Sequence, residues 1–159
     1  KVIIVPSKQS PNKEMPPANG NDRLAMLSLC NFITNPNLII DDYELRSNNQ
    51  PSFTINLIKH VKNKFKKSDI YLALGLDQLN DLHNWHESEK LLTMVKIICF
   101  NRNRLANDQV LIKYEFIENF NYNISSSEIR NFIQTDHRKV KDMLNKNIFD
   151  YIIKEKLYK

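Results

Sequence analysis

Ile70-Tyr71-Leu72-Ala73-Leu74-Gly75-Leu76-Asp77-Gln78-Leu79 is a nearly unbroken apolar run that closes on a glycine and passes straight into a helical pattern. Ile70 to Leu74 reads as a buried strand, since a short apolar run bounded by a breaker suits the interior of a sheet. Similar runs occur at Val2-Ile3-Ile4-Val5, which Pro6 ends, and at Val95 to Phe100. Leu38-Ile39-Ile40 is a shorter example, and Val110 to Phe116 has weaker strand character. Helical stretches separate these runs. Near-continuous hydrophobicity in alternation with helices predicts an α/β fold, a Rossmann-like parallel sheet with helices on both faces.

The helices follow from periodicity and end signals. Asp22 is a candidate cap for a helix from Arg23 to about Phe32, and Pro51-Ser52-Phe53 opens another that runs to about Phe65. The second has Ile55, Leu57, Ile58 and Val61 on its apolar face, with Lys62, Lys64, Lys66 and Lys67 near its C-terminus, where cations suit the macrodipole. Leu79 to Leu92 is helical with a break near His83-Asn84-Trp85-His86. Ser125 and Glu128 have capping-box spacing ahead of a helix to about Thr135. Two further helices are expected at Lys139 to Leu144 and Ile148 to Leu157. Ser7 to Asn21, with three prolines, reads as a loop, and Asp41 to Gln50 as a polar connector.

At 159 residues the chain fits one domain, with no repeat, low-complexity tract or linker to divide it. No apolar run approaches the roughly 18 residues that spanning a bilayer requires. There is no charged-then-apolar leader, so the expected compartment is the cytoplasm. Cys30 and Cys99 lie in apolar stretches without a neighbouring Cys or ligand-spaced His, which predicts buried reduced thiols and no protein-built metal site. A net charge of +5 suits an anionic ligand, although AT-rich coding also yields a Lys-, Asn- and Ile-rich chain. Glycine occurs only at Gly20 and Gly75, so each invites a backbone explanation.

In open α/β sheets, ligands bind beyond the carboxyl ends of the strands. Gly75 and Asp77 follow one strand there: the glycine admits a ligand to the backbone and the carboxylate accepts hydrogen bonds, or else Asp77 merely caps the next helix. Trp85, the only tryptophan, sits between His83 and His86 in a helix break. It either stacks on a heteroaromatic ring or anchors the core. Ser125 to Arg130 combines three hydroxyls, free backbone N–H groups and a guanidinium at a helix start, which makes either a phosphate site or an ordinary capping box. Lys13 and Arg102 follow two other strands.

Taken in order, these pieces resemble the bacterial nicotinate-nucleotide adenylyltransferases, members of the wider nucleotidyltransferase superfamily. The matching stretches are Val5-Pro6-Ser7 with Ser10-Pro11-Asn12-Lys13, Arg23-Leu24-Ala25-Met26-Leu27 and Glu44-Leu45-Arg46. They continue with Pro51-Ser52-Phe53-Thr54-Ile55, Leu74-Gly75-Leu76-Asp77-Gln78-Leu79, and Trp85-His86. The last are Ile124-Ser125-Ser126-Ser127-Glu128-Ile129-Arg130, Asp150-Tyr151-Ile152 and Leu157-Tyr158.

The resemblance implies an enzyme that transfers the AMP part of ATP to nicotinate mononucleotide, releasing pyrophosphate and forming nicotinate adenine dinucleotide on the route to NAD, with Mg²⁺ on the phosphates. It implies ATP binding by Gly75, Asp77, Ser125, Ser126, Ser127 and Arg130, and mononucleotide binding by Lys13, Thr54, Trp85 and Arg102. Asn12 stands where a histidine is common, Phe53 replaces a common tyrosine, Ser127 replaces threonine, and Arg102-Asn103-Arg104 departs from the usual Arg-Pro-Gly. The family opens with a strand and a Gly-x-Phe-Asp-Pro-x-His-x-Gly-His segment that this sequence does not contain. The expectation is therefore a single adenylyltransferase domain over residues 1–159, N-terminally truncated, without the family's first strand and inactive by itself.

Other readings are a sister enzyme such as pantetheine-phosphate adenylyltransferase, a basic nucleic-acid-binding module, or a decayed remnant. Trp85-His86 and Ser52-Phe53-Thr54 favour the nicotinate substrate. Dispersed Lys and Arg, without aromatic interleaving or a recognition-helix pattern, speak against nucleic acid.

Overall fold

The computed structural model describes residues 1–11, 13–30, 34–48, 51–100, 112–117 and 124–159. By internal packing the chain divides into two compact units, Lys1–Ser52 with Ile124–Lys159, and Phe53–Asn123. Every strand pairing described is parallel.

In the first unit, β1 (Val2–Ile4) pairs with β2 (Leu38–Ile40), Ile3 opposite Ile39. Helix α1 (Gly20–Ser28) begins earlier than Asp22 suggests. Asn19 is the cap, its side-chain oxygen accepting from the Asp22 N–H at 3.0 Å, so Asp22 falls in the first turn, where its charge suits the helix dipole. Gly20 does not need a left-handed backbone. A side chain there would put Cβ 3.0 Å from Leu45 Cδ2, so close approach explains the residue.

The polar connector from Asp41 contains a short helix, α2 (Tyr43–Arg46). Helices α6 (Ser126–Thr135), α7 (His137–Lys141) and α8 (Lys146–Lys154) complete the unit. Their buried side chains Ile133, Val140, Phe149 and Ile152 form its core, with Met26 of α1 packed against them. The α8 stripe, Phe149 and Ile152, is the i, i+3 pattern of an amphipathic helix.

Glu44 is the exception to the polar character of its segment, only 7% exposed. Burial pushes its carboxyl above the ordinary glutamate range, while the Ser52 and Ser7 hydroxyls pull it partly back. Those serines belong to two loops that are joined nearby: the Ser52 N–H donates to the Gln9 carbonyl at 2.8 Å and Lys8 Nζ to the Ser47 carbonyl at 2.9 Å.

In the second unit, β4 (Lys96–Phe100) lies between β3 (Tyr71–Gly75) and β5 (Tyr114–Ile117). Leu74 is opposite Cys99, and Gly75 opposite Phe100. Helices α3 (Thr54–Lys64), α4 (Leu76–Asp81) and α5 (Ser88–Met94) cover the sheet face that carries Leu74, Ile97 and Cys99. Ile55, Ile58 and Val61 are the buried stripe of α3, with Leu57 off it and half-buried. The expected helical break is a 3-10 turn at Leu82–Asn84 followed by Glu87 in a left-handed conformation, φ 51°. Glu87 stands at the head of α5 with Lys90 Nζ at 3.0 Å and Lys59 Nζ at 3.4 Å.

Both cysteines are free. Cys99 is buried as expected, whereas Cys30 is only half-buried at the end of α1, its thiol donating to the Met26 carbonyl at 3.5 Å. Arg102, Asn12, Phe32 and Val110 lie outside the described residues. No described helix is long and apolar enough to cross a membrane.

Two outcomes follow from this packing. Leu79, 1% exposed in the second unit's core, when replaced in Leu79→Ala lowers the unfolding free energy by about 2–5 kcal/mol in a denaturant titration. For Glu44, the raised native pKa means that the folded protein holds the proton more tightly than the unfolded chain. The associated stability is complete below the ordinary glutamate value and is lost as pH climbs through the raised one. Thermal melts across that window therefore fall with pH in the parent protein and flatten in Glu44→Gln; superimposable slopes would remove the buried carboxyl as the cause.

Candidate functional site

Parallel pairing sends β3 and β4 out of the sheet at the same edge, and the chain leaves β3 through Gly75. A Cβ at Gly75 would meet Asp77 Oδ1 at 2.8 Å, inside van der Waals contact. The carboxylate of Asp77 thus curls back over the Gly75 backbone in the first turn of α4. Gly75, not Asp77, is the N-cap residue, and no side chain caps this helix. Asp77 as a residue is exposed. Its charge also reaches β4: together with burial, which is the larger effect, it pushes the Cys99 thiol up.

Thr54 is the first residue of α3 and follows Phe53, whose extended backbone starts the helix without a side-chain cap. The Phe53 ring lies against that of His86, centroids 4.3 Å apart and planes tilted by 33°. That contact joins the start of α3 to the turn carrying Trp85. Trp85 is half-buried and packs against the core that contains Ile55, Leu76 and Leu82. It also borders a shallow hollow of about 350 Å³ with Glu87, Ser88, Glu89 and Lys90. Core anchoring and an accessible ring are therefore both true of this one residue. Trp85 packs against this core, and Thr54 and Gly75 are chain neighbours of its members Ile55, Leu74 and Leu76.

The first unit supplies the second group. Ser125 caps α6, its Oγ accepting from the Glu128 N–H at 3.0 Å. Arg130 Nη2 donates to Ser127 Oγ at 3.2 Å. A hydroxyl that accepts in this way still has its own proton to donate. Ser125, Ser126 and Ser127 are exposed and Arg130 is half-buried. Hydroxyls, a guanidinium and the free N–H groups of a ten-residue helix are thus collected at one tip. Lys13 is exposed in the loop after β1, where its backbone is held by bonds to Ser10 and Gln9.

Three features were not legible beforehand. The Phe53–His86 contact joins residues from two elements, and Glu44 is a buried carboxylate inside a polar stretch. The third is the surroundings of Arg23, whose Nη1 donates to the Ser7 carbonyl and whose charge is felt by Tyr158. Only the matching stretches Arg23-Leu24-Ala25, Glu44-Leu45-Arg46 and Leu157-Tyr158 hinted that these positions mattered. Among the described residues, no group of three or more His, Cys, Asp or Glu side chains is arranged to hold a metal ion.

Residues 1–132 match the cytidylyltransferase-like family model, which runs across both units. The chain is similar to the probable nicotinate-nucleotide adenylyltransferase of Leptospira interrogans, 31% identical over 164 aligned positions that cover 99% of this chain and 80% of that protein. It is equally similar to the probable nicotinate-nucleotide adenylyltransferase of Caldicellulosiruptor saccharolyticus, 31% identical with 100% of this chain and 84% of that protein covered. Among solved structures it resembles Plasmodium falciparum nicotinic acid mononucleotide adenylyltransferase complexed with NaAD, at a TM-score of 0.78 and 26% identity over 99% of this chain and 82% of that one. With a parallel α/β fold, a family-model match over residues 1–132 and relatives 31% identical across nearly its whole length, the chain belongs to the nicotinate-nucleotide adenylyltransferases, within the cytidylyltransferase-like family.

Proposed function

We propose that the protein transfers the adenylyl group of ATP to nicotinate mononucleotide, as one adenylyltransferase domain. The observation that carries this reading is the tip of α6, where Ser125 and Ser127 accept bonds from the protein and keep their own hydroxyl protons to donate. A tip of this kind suits phosphate oxygens, and Arg130 adds a charge-assisted donor. Support for the substrate class comes from the relatives' names and from the Plasmodium enzyme's complex with NaAD.

The chemistry is an in-line displacement. A phosphate oxygen of the mononucleotide attacks the α-phosphorus of ATP, the new P–O bond forms, and the bond to the β-phosphate oxygen breaks to release pyrophosphate. Such a step needs positioning and neutralisation of charge, with no covalent nucleophile from the protein. Mg²⁺ enters with ATP as part of the substrate and offsets charge on its phosphates. Ser125, Ser126, Ser127 and Arg130 bind the phosphates, while Gly75 gives the nucleotide access to the backbone and Asp77 accepts hydrogen bonds from it. On the mononucleotide side, Trp85 presents a ring face to the pyridine and Thr54 and Lys13 hold the remainder; Arg102 is assigned there by resemblance alone.

Pyrophosphate release from ATP with nicotinate mononucleotide, nicotinamide mononucleotide or 4′-phosphopantetheine tests the assignment. The 159-residue chain is assayed alone and joined to a His-x-Gly-His segment. Turnover is expected with the nicotinate substrate and the joined protein, and release with only the pantetheine substrate would move the protein to the sister enzyme. Equilibrium binding to the chain alone separates the residues. Arg130→Ala weakens ATP by about 1.5–3 kcal/mol, roughly 10- to 100-fold, and spares the mononucleotide.

Trp85→Ala does the reverse, with a stacking loss of about 0.5–1.5 kcal/mol beyond the packing it also removes. Gly75→Ala forces the Asp77 carboxylate aside and lowers ATP affinity several-fold, without the same effect on the mononucleotide. If all three changes weaken both ligands alike, the residue assignments are wrong.

A further inference from the structure

We infer that Tyr158 is a positioning residue for Arg130, so that the grip on phosphate at the tip of α6 depends on the segment that follows α8. The inference rests on the proposed role of Arg130 in ATP binding and assigns to this chain a residue outside the ligand-facing set.

Tyr158 has a left-handed backbone, φ 62°, and so does Lys156 two residues before it, φ 54°. Bulky L-residues avoid this region, and where they occupy it the surroundings hold them there. The restraints are visible. Gln134 Nε2 donates to the Tyr158 carbonyl at 2.9 Å, and the Leu157 N–H donates to the Ile152 carbonyl at 3.0 Å. The Tyr158 side chain packs against the core of Ile133, Val140, Phe149 and Ile152, the same core that Ile129 of α6 joins. Gln134 lies four residues after Arg130, on the same face of α6. The bond from Gln134 therefore draws Tyr158 onto the side of the helix from which Arg130 projects.

The electrostatics agree with that placement. The half-buried phenol lies within reach of Arg130, Arg23 and Asp22: burial pushes its pKa up, Asp22 adds to that, and the two guanidinium groups pull it back. Arg23 is anchored by its bond to the Ser7 carbonyl, and Asp22 by its bond from the Tyr151 hydroxyl at 2.9 Å. Among the described residues, Arg130 itself is tied by its bond to Ser127, three residues earlier and exposed. A long side chain with one exposed tie samples many rotamers, and a neighbour that narrows them prepays the ordering that binding demands. A phenol oxygen beside a guanidinium does this without neutralising its charge, as a carboxylate would.

The test is a double-mutant cycle on the 159-residue chain, with ATP and nicotinate mononucleotide affinities measured by titration calorimetry. Tyr158→Phe keeps the ring and its packing and removes only the hydroxyl. It is expected to weaken ATP binding about three- to tenfold, to leave the mononucleotide within about twofold, and to have no further effect in an Arg130→Ala background. A second readout needs no ligand: Arg130→Ala raises the titration midpoint of the Tyr158 phenol, followed by ultraviolet absorbance against Tyr158→Phe.

If Arg130→Ala weakens ATP binding and Tyr158→Phe does not, the positioning role is wrong and the proposed function stands. If Arg130→Ala leaves ATP binding unchanged, or the parent chain binds no ATP, the assignment of Arg130 to phosphate fails and this inference with it. Equal loss for both ligands together with a lowered melting temperature reduces Tyr158 to a structural residue and also overturns it.

Discussion

Parallel pairing of Tyr71–Gly75 with Lys96–Phe100 is the constraint on which the second unit and its Gly75–Asp77 turn depend. Antiparallel neighbours would send successive strand ends to opposite edges. Parallel ones deliver them together, with the helices returning the chain across the sheet face. The register that sets Leu74 against Cys99 also sets Gly75 against Phe100, so the glycine lies where the strand gives out. From there the Asp77 carboxylate turns back over the backbone, and a larger residue at Gly75 would have to displace it. Shifting the register by one residue would put Leu74 and Cys99 on the wrong face and abolish this arrangement.

Strands were legible in the sequence because their signal is local and strong. The runs at Val2, Leu38, Ile70 and Val95 are all parallel strands: Leu38–Ile40 as expected, those at Val2 and Val95 one residue shorter, and that at Ile70 shifted by one to end on Gly75. Ser125 as the cap of α6 was legible for a similar reason, since serine hydroxyl and the Glu128 N–H lie within one turn of each other. Helix starts were less legible where two caps compete. Asn19 and Asp22 both qualify, and the short gap between Gly20 and Leu45, which lets α1 begin early, is a tertiary fact.

What remained hidden shares one cause. Glu44 sits among Asp, Tyr, Arg and Asn, where composition predicts exposure, yet packing around α2 buries it. The left-handed residues Glu87, Lys156 and Tyr158 carry no glycine-like signature: Lys156 forms the turn that ends α8, closed by the Lys156 and Leu157 N–H groups, Tyr158 is tied to Gln134 of α6, and Glu87 is paired with Lys59. Phe53 and His86 meet through folding alone. A period along the chain encodes which face a residue occupies. It does not encode which residue comes to stand opposite.

The first unit is assembled from two stretches of chain separated by the whole of the second. Its core joins Met26 to Phe149 and Ile152, and the Asp22–Tyr151 bond closes a loop of 129 residues. During synthesis, the continuous stretch Phe53–Asn123 can close its own core, Ile55 to Cys99, as soon as it emerges. The flanking stretch must instead wait, with part of its apolar surface uncovered, until α8 has left the ribosome. The order of folding is thereby written into the topology: the later-finished half is the one open to premature association, and a ribosome that stalls before Phe149 strands it half-built.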